Sequence, residues 1–331
     1  MVFAVLPVYN VRPYLTRCVE SLLRQQCDSL QIILVDDGST DGSGALCDQY
    51  AADYQFIQTI HQSNGGLSAA RNTGLARCFA LSAHPAQDFV LLLDSDDFIR
   101  DDFLAFAVKT CIGADCDGFQ CAWIRGTAEH FPEGLAHPAR TRIMTGAQAL
   151  LDPSVKTFFN NKLYRLQLYQ DEFFPLGKKN EDEFVFYRIL WKCRRFAVTD
   201  AKMYYYFQRK GSIMDTVANS LKGDPHRYDW RAAFDERIAF FTALGEVKQI
   251  QRCYERVCIE WILRYSEQMQ LPPEQRDSDA LDGTMVREYR ACYPKMISLD
   301  TIRPLRKLIF TLFYICPLGA AIAARFRSLR R

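Results

Sequence analysis

Three uninterrupted apolar segments constrain the fold more than any other feature of this sequence. They occur in VFAVLPVYN at the amino terminus, in LQIILVDD from Leu30 and in DFVLLLD from Asp88. Between them, YLTRCVESLLRQQ has apolar residues at helical spacing, and SGALCDQYAADY is also predicted to be a helix. Strands without polar positions are buried on both faces, as in parallel sheets covered by helices. The sequence therefore predicts an α/β fold with a mostly parallel central sheet.

Polar clusters follow the predicted strands at their carboxyl ends. PVYN at Pro7–Asn10, DDGSTDGS at Asp36–Ser43 and DSDD at Asp94–Asp97 all have this position. We also predict a loop in SNGGLSAARNTG, from Ser63 to Gly74. Ligands of open α/β sheets bind beyond the carboxyl ends of the strands, so these clusters are expected to border one site.

The DSDD cluster places Asp94, Asp96 and Asp97 within four residues, directly after an apolar strand. Like charges this close repel each other, so a compensating cation or water is expected near them. Carboxylates without Cys or His favour hard ions such as Mg²⁺ or Mn²⁺, which usually complete their shell with phosphate. A site for a metal and a diphosphate is the sharper hypothesis. The alternative is that Asp96 or Asp97 caps a helix beginning near Asp101 while the others face water.

The DDGSTDGS cluster has the Gly, Ser and Asp content of an ordinary turn. Its position after a buried strand also makes it a candidate rim for the ligand of the DSDD cluster. An aspartate held there could accept the imide N–H of a uracil ring, which would select that base.

The order and spacing of seven motifs resemble the family 2 glycosyltransferases over roughly residues 1 to 215. One such motif is weak evidence, whereas several in register are specific. The motifs are PVYN (Pro7–Asn10), DDGSTDGS (Asp36–Ser43), NGGLSAARNTGL (Asn64–Leu75), DSDD (Asp94–Asp97), NNKLYR (Asn160–Arg165), EDEFVFYRIL (Glu181–Leu190) and YYYFQRKGSIM (Tyr204–Met214).

This resemblance implies a GT-A fold, which is a nucleotide-binding α/β sandwich, and inverting transfer of a sugar from a nucleoside diphosphate. By similarity, the strand end at Pro7, Val8 and Tyr9 and the acidic pair Asp36 and Asp37 would hold uridine. The expected donor is therefore a UDP-sugar.

The DSDD cluster corresponds to the DxD motif of the family. Asp94 and Asp96 would form the pair that binds ribose and metal, with Ser95 between them in the nucleotide-sugar site and Asp97 assisting. The resemblance thus implies a Mn²⁺ or Mg²⁺ cofactor with Asp94, Asp96 and Asp97 as candidate ligands. Which carboxylate would touch the ion directly stays open.

The general base falls, by the same resemblance, on the aspartate of a Glu-Asp pair, here Asp182 beside Glu181. An in-line displacement needs one carboxylate to take the proton from the attacking hydroxyl. The NEDEF segment also predicts a helix amino terminus, where acids interact favourably with the helix dipole, and both roles can hold together. Arg71 and Arg209 are candidate contacts of the diphosphate or the acceptor, because guanidinium groups match phosphate oxygens. A surface role is the alternative for each arginine.

Composition argues against several other classes. The formal net charge is only +2, which gives no support to a nucleic-acid partner. The twelve cysteines are scattered without CxxC pairs or companion histidines, so buried thiols in a reducing cytoplasm are expected rather than a zinc site. The amino terminus lacks a basic leader and a small-residue cleavage site, and it is expected to form a strand rather than a signal peptide.

The tail from Leu308 to Ala324 is uncharged over 17 residues, within a segment, 301–331, that contains seven basic residues and no acid. A helix of this length would reach about 26 Å, short of the roughly 30 Å hydrocarbon core of a bilayer, and Pro317 would kink it. We therefore expect an in-plane or re-entrant anchor, drawn to anionic lipid at the inner face of the cell membrane. A last core helix with a basic end is the alternative.

Four regions are predicted along the chain. Residues 1–105 would form the nucleotide-sugar-binding half of the GT-A domain and 106–215 its acceptor-binding half, followed by a helical region at 216–300 and a membrane-associating tail at 301–331. QRKGS stands where processive members carry QxxRW, so the resemblance implies addition of a single sugar.

The resemblance also implies a saccharide acceptor, expected to be lipid-linked, in capsular or other surface polysaccharide synthesis. A sugar nucleotidyltransferase is one alternative, but it would need a Gly-rich basic loop where this chain has PVYNVRPY. A non-catalytic glycan-assembly subunit is the other alternative, and it is disfavoured because the acids expected to act are all present.

Overall fold

The computed structural model describes residues 1–132, 140–209, 226–298, 302 and 304–317. The end of the YYYFQRKGSIM motif and residues 318–324 of the predicted tail lie outside the described residues. The chain forms two compact units, Met1–Ser212 and Ile213–Arg331. The finer predicted divisions within these units stay predictions.

The first unit begins with parallel strands that alternate with helices. The elements are β1 (Val2–Val8), α1 (Arg12–Leu23), β2 (Leu30–Asp36), α2 (Ser43–Asp53), β3 (Ile57–His61), α3 (Leu67–Leu81) and β4 (Phe89–Leu92). β1 lies between β2 and β4, β3 pairs with β2, and all these pairs are parallel. Every residue of β1 and β4 is buried, as their apolar sequences predict.

The second half of this unit continues the same sheet with mixed strand directions. Its elements are β5 (Phe98–Ile99), α4 (Phe103–Gly113), β6 (Gly118–Gly126), β7 (Thr141–Met144), α5 (Gly146–Leu151), β8 (Lys162–Arg165), α6 (Glu181–Lys192) and β9 (Phe196–Phe207). The strand order is β3-β2-β1-β4-β8-β6-β9-β5, with β7 beside β9. β8 is antiparallel to β4 and β6, whereas β6 and β9 are parallel. The predicted α/β class is confirmed.

The segment SNGGLSAARNTG is not a loop along its whole length, and that prediction is wrong. Helix α3 begins at Leu67, directly after Gly66, whose φ of 84° is one that glycine adopts without strain. Gly74 lies so close to β1 that a Cβ atom would come 2.2 Å from Cγ1 of Val5. The small residues that suggested a loop therefore allow a helix to approach the sheet, with Arg71 on its buried face.

The described part of the second unit is helical, which confirms the predicted C-terminal helical region. Its helices are α7 (Asp229–Ala243), α8 (Val247–Gln268), α9 (Ser278–Leu281), α10 (Thr284–Ile297) and α11 (Pro304–Ile315). The hydroxyl of Tyr289 on α10 donates a hydrogen bond of 2.7 Å to the carbonyl of Phe310 on α11. The rings of Tyr289 and Phe313 meet edge to face at 4.6 Å.

Helix α11 contains the first part of the predicted tail and has two apolar faces. One face is buried and contains Ile309, Phe310 and Phe313. The other, which we call the outer face of α11, is exposed and is formed by Leu305, Leu308, Leu312 and Ile315. No helix within the described ranges is long and apolar enough to cross a membrane.

Candidate active site

Asp37, directly after β2, holds the loop that precedes α3. Its Oδ1 accepts hydrogen bonds from Gln62 Nε2 at 2.7 Å and from Gly65 N at 2.9 Å, and its Oδ2 accepts one from Gly66 N at 2.7 Å. Its own N–H donates to the carbonyl of Val8 at 2.8 Å. The carboxylate is buried and bonded on both oxygens, so Asp37 fixes the shape of this rim.

Asp36 and the end of β1 form the neighbouring part of the rim. Asp36 Oδ1 accepts from Ser39 N at 3.0 Å, and its Oδ2 lies 2.9 Å from Nδ1 of His61. Ser95 Oγ donates to the carbonyl of Pro7 at 2.7 Å, which joins the DSDD cluster to β1. Tyr9 is 49% exposed, so its side chain is open to a ligand.

Arg71 on α3 brings the donor-side and acceptor-side acids together. Its Nη1 donates to Glu181 Oε1 and to Asp182 Oδ1, each at 2.8 Å, and its Nη2 donates to Asp94 Oδ1 at 3.2 Å. Arg71 is only 2% exposed, so the alternative of a surface role is wrong for this arginine. Glu181 begins α6, as the sequence predicts, and the amino terminus of that helix directs both acids to the guanidinium.

Burial and crowding control the proton affinities in this cluster. Burial disfavours the charged carboxylate and, against the lowering effect of Arg71, raises the pKa of Asp182 to about 8. Burial likewise raises the pKa of Asp94. For Arg71, burial acts to lower the pKa, but the three surrounding carboxylates outweigh it and raise the pKa above the usual range. A carboxyl group that loses its proton near neutral pH is well suited to general-base catalysis.

Asp96 lies, like Asp94, at a partly exposed position of the DSDD cluster. Its Oδ2 accepts from Nε of Arg209 at 2.6 Å, and its backbone carbonyl accepts from Nη2 of Arg17 at 2.9 Å. Arg209 therefore lies beside the candidate metal ligands. Its contact with a diphosphate stays a prediction.

Asp97 differs from its neighbours because its carboxylate is directed into the fold. Its Oδ1 accepts from Phe207 N at 2.7 Å, and its Oδ2 accepts from the hydroxyl of Tyr204. The residue is 1% exposed, and burial raises the pKa of this carboxyl well above its usual range. Helix α4 begins at Phe103 after Asp102, so neither Asp96 nor Asp97 caps it and that alternative is wrong. Asp97 instead ties β9 to the DSDD turn.

Asp94 and Asp96 are the members of the cluster that suit a divalent ion. Among the residues that the structure describes, no group of three or more His, Cys, Asp or Glu side chains could hold a metal. However, Mg²⁺ is commonly held by one or two carboxylates together with substrate phosphates. The side chains of Asp94 and Asp96 are 28% and 20% exposed, so they fit an ion that arrives with a diphosphate. Asp97 does not fit that role, because it is only 1% exposed and its carboxylate is directed into the fold.

Two asparagines complete the site, and the sequence assigned no role to either. Asn160 Nδ2 donates to Asp94 Oδ2 at 2.6 Å. The side chain of Asn72 pairs with both backbone groups of Phe174, at 2.8 and 2.9 Å. The ring of Phe174 then lies 5.2 Å from Cζ of Arg71. Asn160 belongs to the motif NNKLYR and Asn72 to the motif NGGLSAARNTGL. A motif alone does not reveal which partner a side-chain amide will bind.

Comparison with solved structures defines the class of the fold. The chain resembles S. aureus TarS 1–349 in complex with UDP-GlcNAc, with a TM-score of 0.64 over 99% of this chain and 90% of that chain, at 17% sequence identity. The same part of TarS in complex with UDP gives a TM-score of 0.61, at 18% identity over 98% of this chain and 91% of that chain. The fold is that of the GT-A glycosyltransferases.

The sequence comparisons identify the family. The model of glycosyl transferase family 2 matches residues 3–175, and the chain belongs to this family of glycosyltransferase enzymes. The putative glycosyltransferase EpsH of Bacillus subtilis is 30% identical over 69% of this chain and 67% of EpsH. Glycosyltransferase GlyG of Streptococcus pneumoniae serotype 4 is 27% identical over 65% of this chain and 73% of GlyG. Glycosyltransferase GlyA of the same organism is 28% identical over 63% of this chain, and the match spans only 31% of GlyA.

Proposed function

We propose that this enzyme transfers a sugar from a UDP-sugar to a hydroxyl group of a saccharide, with inversion at the anomeric carbon and with Asp182 as the general base. The observation that carries the proposal is the meeting of Asp94, from the donor side, and Asp182, from the acceptor side, at the buried guanidinium of Arg71. A diphosphate bound beside Asp94 would therefore lie close to the base. The TarS complexes with UDP and UDP-GlcNAc support the choice of a UDP-sugar.

The chemical step is a single displacement. The Asp182 carboxylate takes the proton of the acceptor hydroxyl while the hydroxyl oxygen forms a bond to the anomeric carbon. The bond between that carbon and the diphosphate oxygen breaks, and its electron pair leaves with UDP. Arg71 holds Asp182 and Glu181 in a fixed position for this attack. A Mn²⁺ or Mg²⁺ ion bound by Asp94 and Asp96 would neutralise charge on the leaving diphosphate.

The uridine is proposed to bind at the end of β1, against Pro7, Val8 and Tyr9. The exposed ring of Tyr9 could stack on the base. Asp36 and Asp37 form the rim. Oδ1 of Asp37 already accepts two hydrogen bonds, whereas its Oδ2 and both oxygens of Asp36 have a second lone pair that could accept the imide N–H of uracil. Because Asp37 already holds the backbone of the neighbouring loop, its larger contribution would be to the shape of this site.

Calorimetric titration tests the donor half of the proposal. We expect UDP to bind, to bind more tightly with Mn²⁺, and to bind better than GDP. Asp182→Asn should keep UDP affinity while losing about 10²–10⁴-fold in sugar transfer, which is the usual contribution of a general base. Binding of GDP in preference to UDP would contradict the assigned base, and full transfer activity in Asp182→Asn would contradict the assigned role of Asp182.

We further propose a role in surface polysaccharide synthesis, with one sugar added to a lipid-linked acceptor. The minor teichoic acid biosynthesis protein GgaB of Bacillus subtilis is 36% identical over 29% of this chain and 10% of GgaB. The chondroitin synthase of Escherichia coli is 35% identical over 32% of this chain and 14% of that protein. These partial matches support an acceptor in polymer synthesis.

Contact with an anionic membrane at its inner, cytoplasmic face would bring the enzyme to such an acceptor. The outer face of α11 supports this contact, because Leu305, Leu308 and Leu312 are exposed along one side of the helix. The segment 301–331 has seven basic residues and no acid, which complements anionic lipid. Helices of this kind lie in the membrane interface with the apolar side inward.

Vesicle sedimentation tests the membrane proposal. The protein should bind vesicles that contain phosphatidylglycerol and bind phosphatidylcholine vesicles less. Leu308→Glu with Leu312→Glu should remove this binding, whereas Leu244→Glu with Leu281→Glu, at exposed positions of other segments, should preserve it. Equal binding of both double variants would contradict the assigned surface.

A further inference from the structure

A fully buried lysine on β8 interacts electrostatically with the proposed base and has no role in the proposed mechanism. Lys162 is the first residue of β8 and is 0% exposed. Its Nζ donates to the carbonyl of Phe158 and, at 2.8 Å, to Oδ1 of Asn161. The ring centroids of Phe158 and Phe186 lie 4.6 and 5.4 Å from Nζ. Because a buried charge is expensive unless it is compensated, the burial of an amine that can become charged needs an explanation.

The position of Phe186 relates Lys162 to Asp182. Both Phe186 and Asp182 lie on α6, four residues apart, so they share one face of that helix. Lys162 contacts the ring of Phe186 and therefore lies under the face of α6 that carries the base. The side chain of Asn160, two residues before Lys162, bonds to Asp94 in the same cluster.

The carboxylates around Arg71 carry more negative charge than its guanidinium can neutralise. Arg71 from α3 is one positive group shared by three carboxylates, which are Asp94 after β4 and Glu181 and Asp182 on α6. An ammonium on Lys162 would offset part of the remaining negative charge. The titratable groups that act on Lys162 itself are Asp182, Cys121 of β6 and Lys156.

The hydrogen bonds of Lys162 suit an amine that gains and loses a proton. An uncharged amine has two N–H groups, which the two acceptors satisfy, and the ammonium form has one more. Burial lowers the pKa of Lys162 to about 7, although Asp182 opposes this shift. Burial has the opposite effect on Asp182 and raises the pKa of its carboxyl. One proton can therefore stand on either member of the pair, as neutral acid with amine or as carboxylate with ammonium.

We propose that Lys162 is a positioning residue for the transfer reaction, whose ammonium form favours the ionised state of the Asp182 carboxylate, the state that can accept the proton of the acceptor hydroxyl. This inference rests on the proposed role of Asp182 as the base. The two forms of the pair carry the same net charge, so moving the proton from Asp182 to Lys162 leaves the charge of the buried cluster unchanged. The carboxylate is then free to take the proton that the acceptor loses.

Titration of the Asp182 carboxyl by ¹³C NMR, in protein with labelled aspartate, tests this inference without any substrate. The Asp182 signal is assigned by its loss in Asp182→Asn. Lys162→Met, which keeps the length of the side chain and removes its charge, should raise the titration midpoint of Asp182 by about one pH unit. Lys109→Met, at an exposed position of α4, is the matched control and should not shift the midpoint.

If Lys162→Met fails to fold, titration of Lys162 in Asp182→Asn tests the inference instead. Coupling between two groups acts equally in both directions, so Asp182→Asn should lower the midpoint of Lys162, followed at its Cε carbon, by the same amount. Suppose that Asp182→Asn has lost transfer but that the titration midpoint of the partner group is unchanged in a folded variant. That result would overturn the inference about Lys162 and leave the proposed base intact. Retained transfer in Asp182→Asn would instead overturn the proposed base, and the inference with it.

Discussion

The acids at the end of β2 and the acids around Arg71 are two groups of carboxylates in the first unit, but they bind different partners. Asp37 receives hydrogen bonds from backbone N–H groups and a neutral amide. Asp94, Glu181 and Asp182 instead share one guanidinium. Neutral donors fix the position of a carboxylate, whereas a shared cation also makes the protonation of each acid depend on the others. The first cluster is therefore a scaffold, and the second is equipped for proton transfer.

Removal of Arg71 should produce the largest effect, because it leaves three partly buried acids without their cation. We expect Arg71→Met to lower the free energy of unfolding by about 3–5 kcal/mol. The control is Arg24→Met, which removes an exposed ion pair with Asp101 and should cost no more than about 1 kcal/mol. Chemical denaturation of both variants measures the difference. Equal losses in the two would mean that the cluster does not depend on Arg71.

The pH dependence of sugar transfer should report the ionisation of Asp182 in the second cluster. Burial raises the pKa of Asp182 to about 8, and the ionised form is the reactive one. Activity should therefore increase with pH and level off above about pH 8, with a loss of about tenfold for each unit below it. The measurement is kcat/KM for UDP release between pH 6 and 9, since this ratio reports the free enzyme. A profile that stays flat over this range would contradict the assignment.

Asp37→Ala should damage the scaffold rather than the chemistry. Its loss leaves the N–H groups of Gly65 and Gly66 without their acceptor, at a cost of about 1–3 kcal/mol in the free energy of unfolding. Because the oxygens of Asp37 do not contact the Arg71 cluster, the pH at which activity levels off should stay at its wild-type value. A shift of that pH in Asp37→Ala would show that the two clusters are coupled.

The smallest effect is expected at His61, at the edge of the scaffold. Hydrogen bonds to Asp36 and Asp48 raise the pKa of His61 above its unfolded value of 6.5. Its contribution is therefore fully present below pH 6.5 and is lost as the pH rises through the folded-state pKa. His61 is half exposed, so His61→Gln should lower the free energy of unfolding by less than about 1 kcal/mol at pH 5.5. Denaturation at pH 9 should show no difference from wild type.

The sequence predicts the parallel half of the sheet well, because β1, β2 and β4 are largely apolar and are followed by polar residues. It fails at α3, where Gly and Ser residues indicate a loop but in fact permit close packing on β1. The motifs name Asp94, Glu181 and Asp182, yet they do not show that these acids meet at Arg71. That contact joins residues 111 positions apart and is fixed by tertiary packing.

The same limit applies to Asp97 and Lys162. Asp97 lies within the DSDD motif, but its bonds to Tyr204 and Phe207 depend on β9, which is distant in sequence. Lys162 lies in the quoted motif NNKLYR, and only the burial of β8 shows that its amine lies inside the protein. Residue types and spacing identify candidates, whereas the partners that decide their chemistry come from the folded chain.

Gly74 makes the geometry of the site sensitive to the packing of α3 on β1, a contact that involves no charged group. It lies one turn after Arg71 on α3, and a methyl group there would overlap Val5 of β1. A larger residue at this position would lift α3 from the sheet and carry the guanidinium away from the acids. The geometry of catalysis therefore depends on the distance between α3 and β1. Substitutions of the apolar residues between them offer a way to change the pKa of Asp182 without altering any polar residue.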